Sequence, residues 1–219
     1  MAIQTQGFSG IVPEVETNTR SQRVTLRSAD FGSLGVYAIS VGSSTSMSSA
    51  GAGPNDLVHF RWGNATNLAL VRYVMISLGS TAFTAATVPQ FDMTIGRTFT
   101  AASSIGTAAT LSSNSGKLRT SMATTLLSEL RYASTGGFLA GGTVTLDPHP
   151  MASLIGVAPT APTNPMLPAT FLFNPETESE YPLVLAQNEG FAIRVSFATA
   201  TTASWRYNAT IKWMEIASF

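Results

Sequence analysis

Gly190-Phe-Ala-Ile-Arg-Val-Ser-Phe197 and Trp205-Arg-Tyr-Asn-Ala-Thr-Ile-Lys-Trp213 alternate apolar and polar residues almost without fault. Phe191, Ile193, Val195 and Phe197 lie on one side of the first run, Ala192, Arg194 and Ser196 on the other. Beyond the small-residue stretch Ala198-Thr-Ala-Thr-Thr-Ala203 the period resumes, with Trp205, Tyr207, Ala209, Ile211 and Trp213 facing one way and Arg206, Asn208, Thr210 and Lys212 the other. Strict period-2 alternation over this length predicts two half-buried strands, read here as an antiparallel hairpin that closes an all-β sandwich. Phe191 to Trp213 should then face the core, and Arg194, Arg206 and Lys212 the outside.

Composition sets the frame. The chain has 219 residues, 44% of them hydrophobic, enough to build a sizeable core without staples. It has no cysteine, which excludes disulfides, thiolate-bound zinc and thiol catalysis. Charged residues make up 11%, against about 25% in ordinary soluble domains. Twelve basic residues balance twelve acidic ones, and ten of the basic residues are Arg; only Lys117 and Lys212 are Lys. Sparse charge, zero net charge and Arg in place of Lys favour a surface covered by other protein, because interfaces enrich Arg and deplete Lys. An Ala/Ser/Thr composition bias is the alternative. Nothing basic enough for nucleic acid is present. The segment Met1–Gln6 lacks the charged and apolar regions of a secretory leader, and no run approaches the roughly 18 apolar residues of a membrane span.

Working outward, residues 1–20 are polar and mixed and read as an N-terminal arm, leaving 21–219 as a single β-sandwich domain. Strands are expected at Arg23–Leu26, Leu34–Val41, Leu57–Trp62, Leu68–Leu78, Phe91–Phe99, Val144–Leu146 and Pro182–Gln187. Leu68–Leu78 is apolar on both faces except at Arg72 and Ser77, which predicts cover on both sides. Lys117–Arg131 carries Leu118, Met122, Leu126 and Leu130 at helical spacing, so at most one short helix is expected there. Asp147–Pro182 holds eight of the eleven prolines and reads as an extended Pro-rich loop rather than sheet, yet it is dotted with apolar side chains and must lie on something. The sum is about eight to ten antiparallel strands in a sandwich of jelly-roll type, with extended N-terminal and Pro-rich arms.

Chemistry is scarce. His59 lies near Asp56, and His149 sits in Asp147-Pro-His-Pro150; two ligands are too few for a metal, so a strand histidine and a turn histidine are the simpler reading. No Gly-x-Ser-x-Gly elbow, Walker loop or dinucleotide fingerprint occurs. Glu176, Glu178 and Glu180 form the one acidic cluster, suited either to Ca²⁺ or to the solvated tip of the Pro-rich loop, with the second preferred. Trp62, Trp205, Tyr207 and Trp213 offer stacking faces for a sugar, but on alternating strands they are better read as core. No catalytic residue, cofactor or metal is expected, and the chain reads as a non-enzyme.

A family likeness enters here. Leu183-Val-Leu-Ala-Gln-Asn-Glu-Gly-Phe-Ala-Ile-Arg194 followed by Trp205–Glu215 resembles the C-terminal end of small structural proteins of tailed bacteriophages and their prophages. Leu68–Val74 and Lys117–Met122 are similar to further stretches of those proteins. The resemblance implies a virion component of capsid-decoration (cement) type, assembled in the host cytoplasm, its partners being its own copies and the major capsid protein or another virion protein, with neither nucleic acid nor membrane. The last strands also resemble those of the trimeric jelly rolls of the tumour-necrosis-factor and C1q type, which implies a homotrimer. Clamping neighbouring capsid subunits is the expected function; a receptor- or glycan-binding head of a fibre or tail is the alternative. Candidate interface residues are Ile3, Phe8, Ile11 and Val12 in the N-terminal arm, and Ile155, Val157, Met166, Leu167, Phe171 and Phe173 in the Pro-rich loop.

Overall fold

The alternation in the last two strands is real, but the two strands are not partners. In this computed structural model they are β13 (Glu189–Phe197) and β14 (Thr201–Ala217), and they lie in different sheets. The structure describes residues 14–15, 22–23, 34–50, 53–83, 88–101, 103–111, 116–156, 167–175, 182–197 and 201–217. The other strands are β1 (Glu14–Val15), β2 (Gln22–Arg23), β3 (Gly35–Gly42), β4 (Met47–Ala50), β5 (Asn55–Trp62), β6 (Asn67–Phe83), β7 (Pro89–Gly96), β8 (Thr107–Ala108), β9 (Glu129–Tyr132), β10 (Ala152–Ile155), β11 (Leu167–Phe173) and β12 (Leu183–Leu185). The chain divides into two units, Met1–Gly32 and Ser33–Phe219. In the first unit the described residues form one small antiparallel pair, β1 with β2.

The second unit is an antiparallel sandwich. Its first sheet runs β10-β7-β13-β5-β9-β8; its second runs β11-β6-β14-β3, with β12 also on β6 and β4 also on β14. That makes twelve strands among the described residues of this unit, four of them short additions (β4, β8, β9, β12) to a frame of eight. The inward residues of both sheets meet in one core. Phe60 stacks on Phe191 within the first sheet at 4.9 Å and meets Trp213 of the second edge-to-face at 5.4 Å. Phe197 meets Trp205 across the same gap at 5.4 Å. Trp62, Trp205 and Trp213 are all fully buried, and burying a large side chain of this kind contributes about 1.5–3 kcal/mol. Period 2 tells which residues face inward and is silent on which strand lies alongside; a hairpin and a crossing between sheets share the same pattern.

Bulges set the phase of the long strands. On β6, Val71 opposes Trp213 while Tyr73 opposes Lys212, so Arg72 is the extra residue. Before it Ala69 and Val71 face the core; after it Val74, Ile76 and Leu78 do. That switch makes Leu68–Leu78 look apolar on both faces. Part of the outer face is also covered, since Val184, Leu70, Met214 and Val36 oppose one another in a row across four strands and pack as a second cluster with Met122.

Two expectations need correction. Lys117–Arg131 is not a helix. Its backbone groups are taken by neighbours: Gly116 accepts from Ala38, Leu118 donates to Val36, Leu126 donates to the Glu215 carboxylate, and Glu129–Tyr132 joins the first sheet beside β5. Nor is Asp147–Pro182 free of sheet. β10 lies on the outside of β7 and β11 on the outside of β6. Both are edge strands, where proline is tolerated, and Pro168 sits where the β11 register slips between Leu167 and Thr170. Smaller differences follow. Val144–Leu146 gives isolated bridges at Thr143 and Leu146 instead of a strand. Of Arg23–Leu26, the part beyond Arg23 lies outside the described residues.

Candidate functional site

A group of ion pairs lies on the outer face of the first sheet. Registers place Ser153, Asp92, Arg194 and Asp56 in one row across β10, β7, β13 and β5. His59 joins them through a bulge. Ile193 opposes Val58 and Arg194 opposes Asp56, so Leu57 is the extra residue. In a regular strand residues i and i+3 face opposite ways; the inserted Leu57 turns inward and leaves Asp56 on the same side as His59.

The result is a tight ionic tie. Asp56 Oδ2 lies 2.8 Å from His59 Nε2, and Arg194 Nε donates to Asp56 Oδ1 at 2.8 Å. Burial pushes the Asp56 carboxyl up, but His59 and Arg194 outweigh it and hold it below the usual carboxylate range. Asp92 accepts from Gln90 Nε2 at 2.9 Å and Ser153 Oγ at 2.5 Å. Glu129 accepts from Arg131 Nε at 2.7 Å and Arg61 Nη2 at 3.4 Å. Just past the end of β7, Arg97 donates to Asp147 at 3.1 Å and to Glu189 at 3.4 Å.

A carboxylate-held imidazole is the arrangement that orients a general base, which must reach its proton within about 3 Å. His59 is 1% exposed. Its Nε2 is committed to Asp56, its ring meets the Phe99 ring edge-on at 5.3 Å, and its Nδ1 is buried without a partner. The geometry makes it a buried brace within β5, holding the Asp56 carboxylate that Arg194 of β13 also grips.

A second buried carboxylate escaped the sequence reading. Glu215, on the inward side of β14, accepts from Thr125 Oγ1 at 2.5 Å, the Leu126 amide at 3.0 Å and Trp213 Nε1 at 3.2 Å. Burial raises its affinity for a proton despite those donors, and burial together with Glu215 pushes the nearby Tyr37 hydroxyl up to about 12. The signal was legible, since Glu215 shares the parity of Trp205 to Trp213.

The expected site residues scatter. Leu167 and Phe173 are buried in the chain's own core, while Ile155 (64% exposed) and Phe171 (46% exposed) stand on the outside of edge strands, Phe171 against Tyr73. Ile3, Phe8, Ile11, Val12, Val157, Met166 and the cluster Glu176–Glu180 lie outside the described residues. His149 is exposed. Trp62, Trp205, Tyr207 and Trp213 are all core. Of the three outward cations, Arg194 is tied to Asp56, Lys212 lies 5.7 Å above the Tyr73 ring, and Arg206 is exposed. Among the described residues no group of three His, Asp or Glu is placed to hold a metal ion.

Every body carboxylate whose side chain is described (Asp56, Asp92, Glu129, Asp147, Glu189, Glu215) accepts a hydrogen bond from the chain itself. Comparison of the chain with protein-family models, curated proteins and solved structures finds no match in any of the three.

Proposed function

We propose that this chain is a structural component of a virus particle, a jelly-roll protein that decorates and stabilises a capsid by clamping neighbouring capsid subunits. The observation that carries the reading is the strand order. The eight principal strands arrange as β3-β14-β6-β11 in one sheet and β5-β13-β7-β10 in the other. We read this order as that of two interlocked Greek keys, the double-sheet roll common in capsid and lectin domains. A fold alone hosts many functions. What tilts it to a structural role is that the body's described carboxylates are engaged in holding strands and loops together. Sparse charge and exposed apolar side chains on edge strands, Ile155 and Phe171, suit a protein seated among others. Each contact with a shell would be weak; several per copy gain strength through multivalency.

The test is co-sedimentation of the purified chain with assembled tailed-phage shells that lack it. Saturable binding at a fixed ratio to the capsid subunit supports the reading. Protein that stays in the supernatant at every concentration removes it.

A further inference from the structure

We propose that residues 119–126 form a pH-responsive strap over the end of the sandwich, held closed through the single carboxyl group of Glu215 in mild acid and loosened as pH rises. The inference goes beyond shell binding and does not depend on it.

The strap is anchored at both ends and lightly held between them. At its start Lys117 bridges Tyr37 of β3, in the second sheet, and Leu118 donates to the Val36 carbonyl at 3.3 Å. At its far end Leu127 is buried in the core, Ser128 Oγ accepts from the Gly63 amide at 2.8 Å, and β9 follows in the first sheet. Between these anchors no helix or strand forms, and every residue except Met122 and Thr125 is exposed. Three contacts hold the segment down. The Tyr37 hydroxyl donates to the Ala123 carbonyl at 2.9 Å. Met122 packs on Val36, Leu70 and Met214. Thr125 Oγ1 and the Leu126 amide converge on Glu215. A segment with so few buried contacts opens locally, without unfolding of the sheets it crosses.

Glu215 is the one of these contacts that changes charge. It is 1% exposed, its cross-strand neighbours are Gly35 on β3 and Ala69 on β6, and no cation among the described residues pairs with it. Lys117 and Arg119, at the start of the strap, make no ion pair with it, and Lys212 of its own strand stands on the outer face over Tyr73. The titratable group that faces it is Tyr37 of β3, which stays neutral because burial and Glu215 push its hydroxyl up to about 12. Three donors, Thr125 Oγ1, the Leu126 amide and Trp213 Nε1, crowd Oε1, whereas Oε2 meets the Leu126 amide alone, at 3.1 Å. One oxygen saturated and the other nearly bare suits a neutral carboxyl group, whose carbonyl oxygen accepts while its partner carries the proton.

The sign follows from burial. With the strap closed, an ionised Glu215 is a buried charge without a counter-charge. With the strap open it meets water and its ordinary value of about 4.3. Burial strengthens its hold on the proton in the closed state. Closure is therefore tightest below about pH 4, weakens as pH rises through the raised closed-state value, and is constant above it. Lifting the strap also takes Met122 off Val36, Leu70 and Met214, so the same titration bares that apolar row.

Amide hydrogen exchange on the intact protein, read residue by residue by NMR and divided by the intrinsic rate at each pH, tests this. Protection of Leu126 should fall at least about tenfold from about pH 4 to about pH 8, since each pH unit by which the closed state raises the carboxyl is a factor of ten. Ile193, paired on both sides within the first sheet, reports global unfolding and should not follow it. Glu215→Gln keeps the accepting oxygen and cannot ionise, so Leu126 protection in that variant should be constant over the same range. If circular dichroism shows that the variant does not fold, direct NMR titration of the Glu215 carboxyl carbon in wild type replaces it and should give a midpoint at least about one pH unit above the ordinary value. A smaller fall at Leu126 in wild type, a fall that survives in Glu215→Gln, Ile193 protection that drops in step with Leu126, or a lower Glu215 midpoint would each overturn the proposal.

Discussion

Tyr207→Phe probes the sandwich at its centre. Tyr207 belongs to β14 in the second sheet, and its hydroxyl lies 2.9 Å from the Leu57 carbonyl of β5 in the first sheet and 2.9 Å from the Ala133 carbonyl. Leu57 is the bulged residue, and its carbonyl also accepts from the Ala133 amide at 2.9 Å. Removing the hydroxyl therefore leaves the Ala133 carbonyl as the exposed loss, while the ring keeps its place beside Trp205. A buried hydrogen bond contributes about 1 kcal/mol and a stranded carbonyl adds about 1–3 kcal/mol, so Tyr207→Phe should destabilise by about 2–4 kcal/mol. For a chain of this length that is a fall in Tm of about 4–16 °C. Urea unfolding read by tryptophan fluorescence measures it, with Tyr73→Phe on the outer face as the control expected within about 0.5 kcal/mol. A Tyr207→Phe variant as stable as that control would refute the placing of β14 across the core from β5.

Gly190→Ala should abolish the fold or cost more than about 3 kcal/mol, because a Cβ there would collide with the Phe60 carbonyl and the Phe99 ring, both fixed; thermal unfolding reads it. Asp56→Asn should give a pH-dependent loss. Asp56 titrates below its ordinary value of about 3.9, so its contribution is fully present above that value and disappears as pH falls through the lower, folded one. The stability gap between wild type and variant should begin to shrink as pH falls below about pH 4 and go on shrinking with further acidification; a gap that shrinks only above about pH 4 argues against the tie. Glu215→Ala should cost about 3–4 kcal/mol by stranding the Leu126 amide and the Trp213 indole N–H, with hydrogen exchange at Leu126 rising first.

Much of the fold was legible in side-chain parity, and the misses share a cause. Faces were read correctly from Phe191 to Trp213 because each residue's side depends only on its neighbours along the strand. Partners were not, because pairing of β13 with β7 and β5, and of β14 with β6 and β3, is decided by the whole sheet. Leu118, Leu126 and Leu130 matched a helical stripe, but only Leu130 is buried, as part of β9. The prolines of Asp147–Pro182 argued soundly against sheet interior and left edges open, which is where β10 and β11 run. The union of Asp56 with His59 was invisible, since an i, i+3 contact on a strand exists only because Leu57 bulges.

The most direct test of the central claim is an electron-microscopy reconstruction of tailed-phage shells carrying this protein. The account predicts density for the sandwich at regular positions over the junctions between capsid subunits, touching more than one subunit per copy. Shells whose surface is unchanged by the protein, or density confined to a tail or fibre, would contradict it.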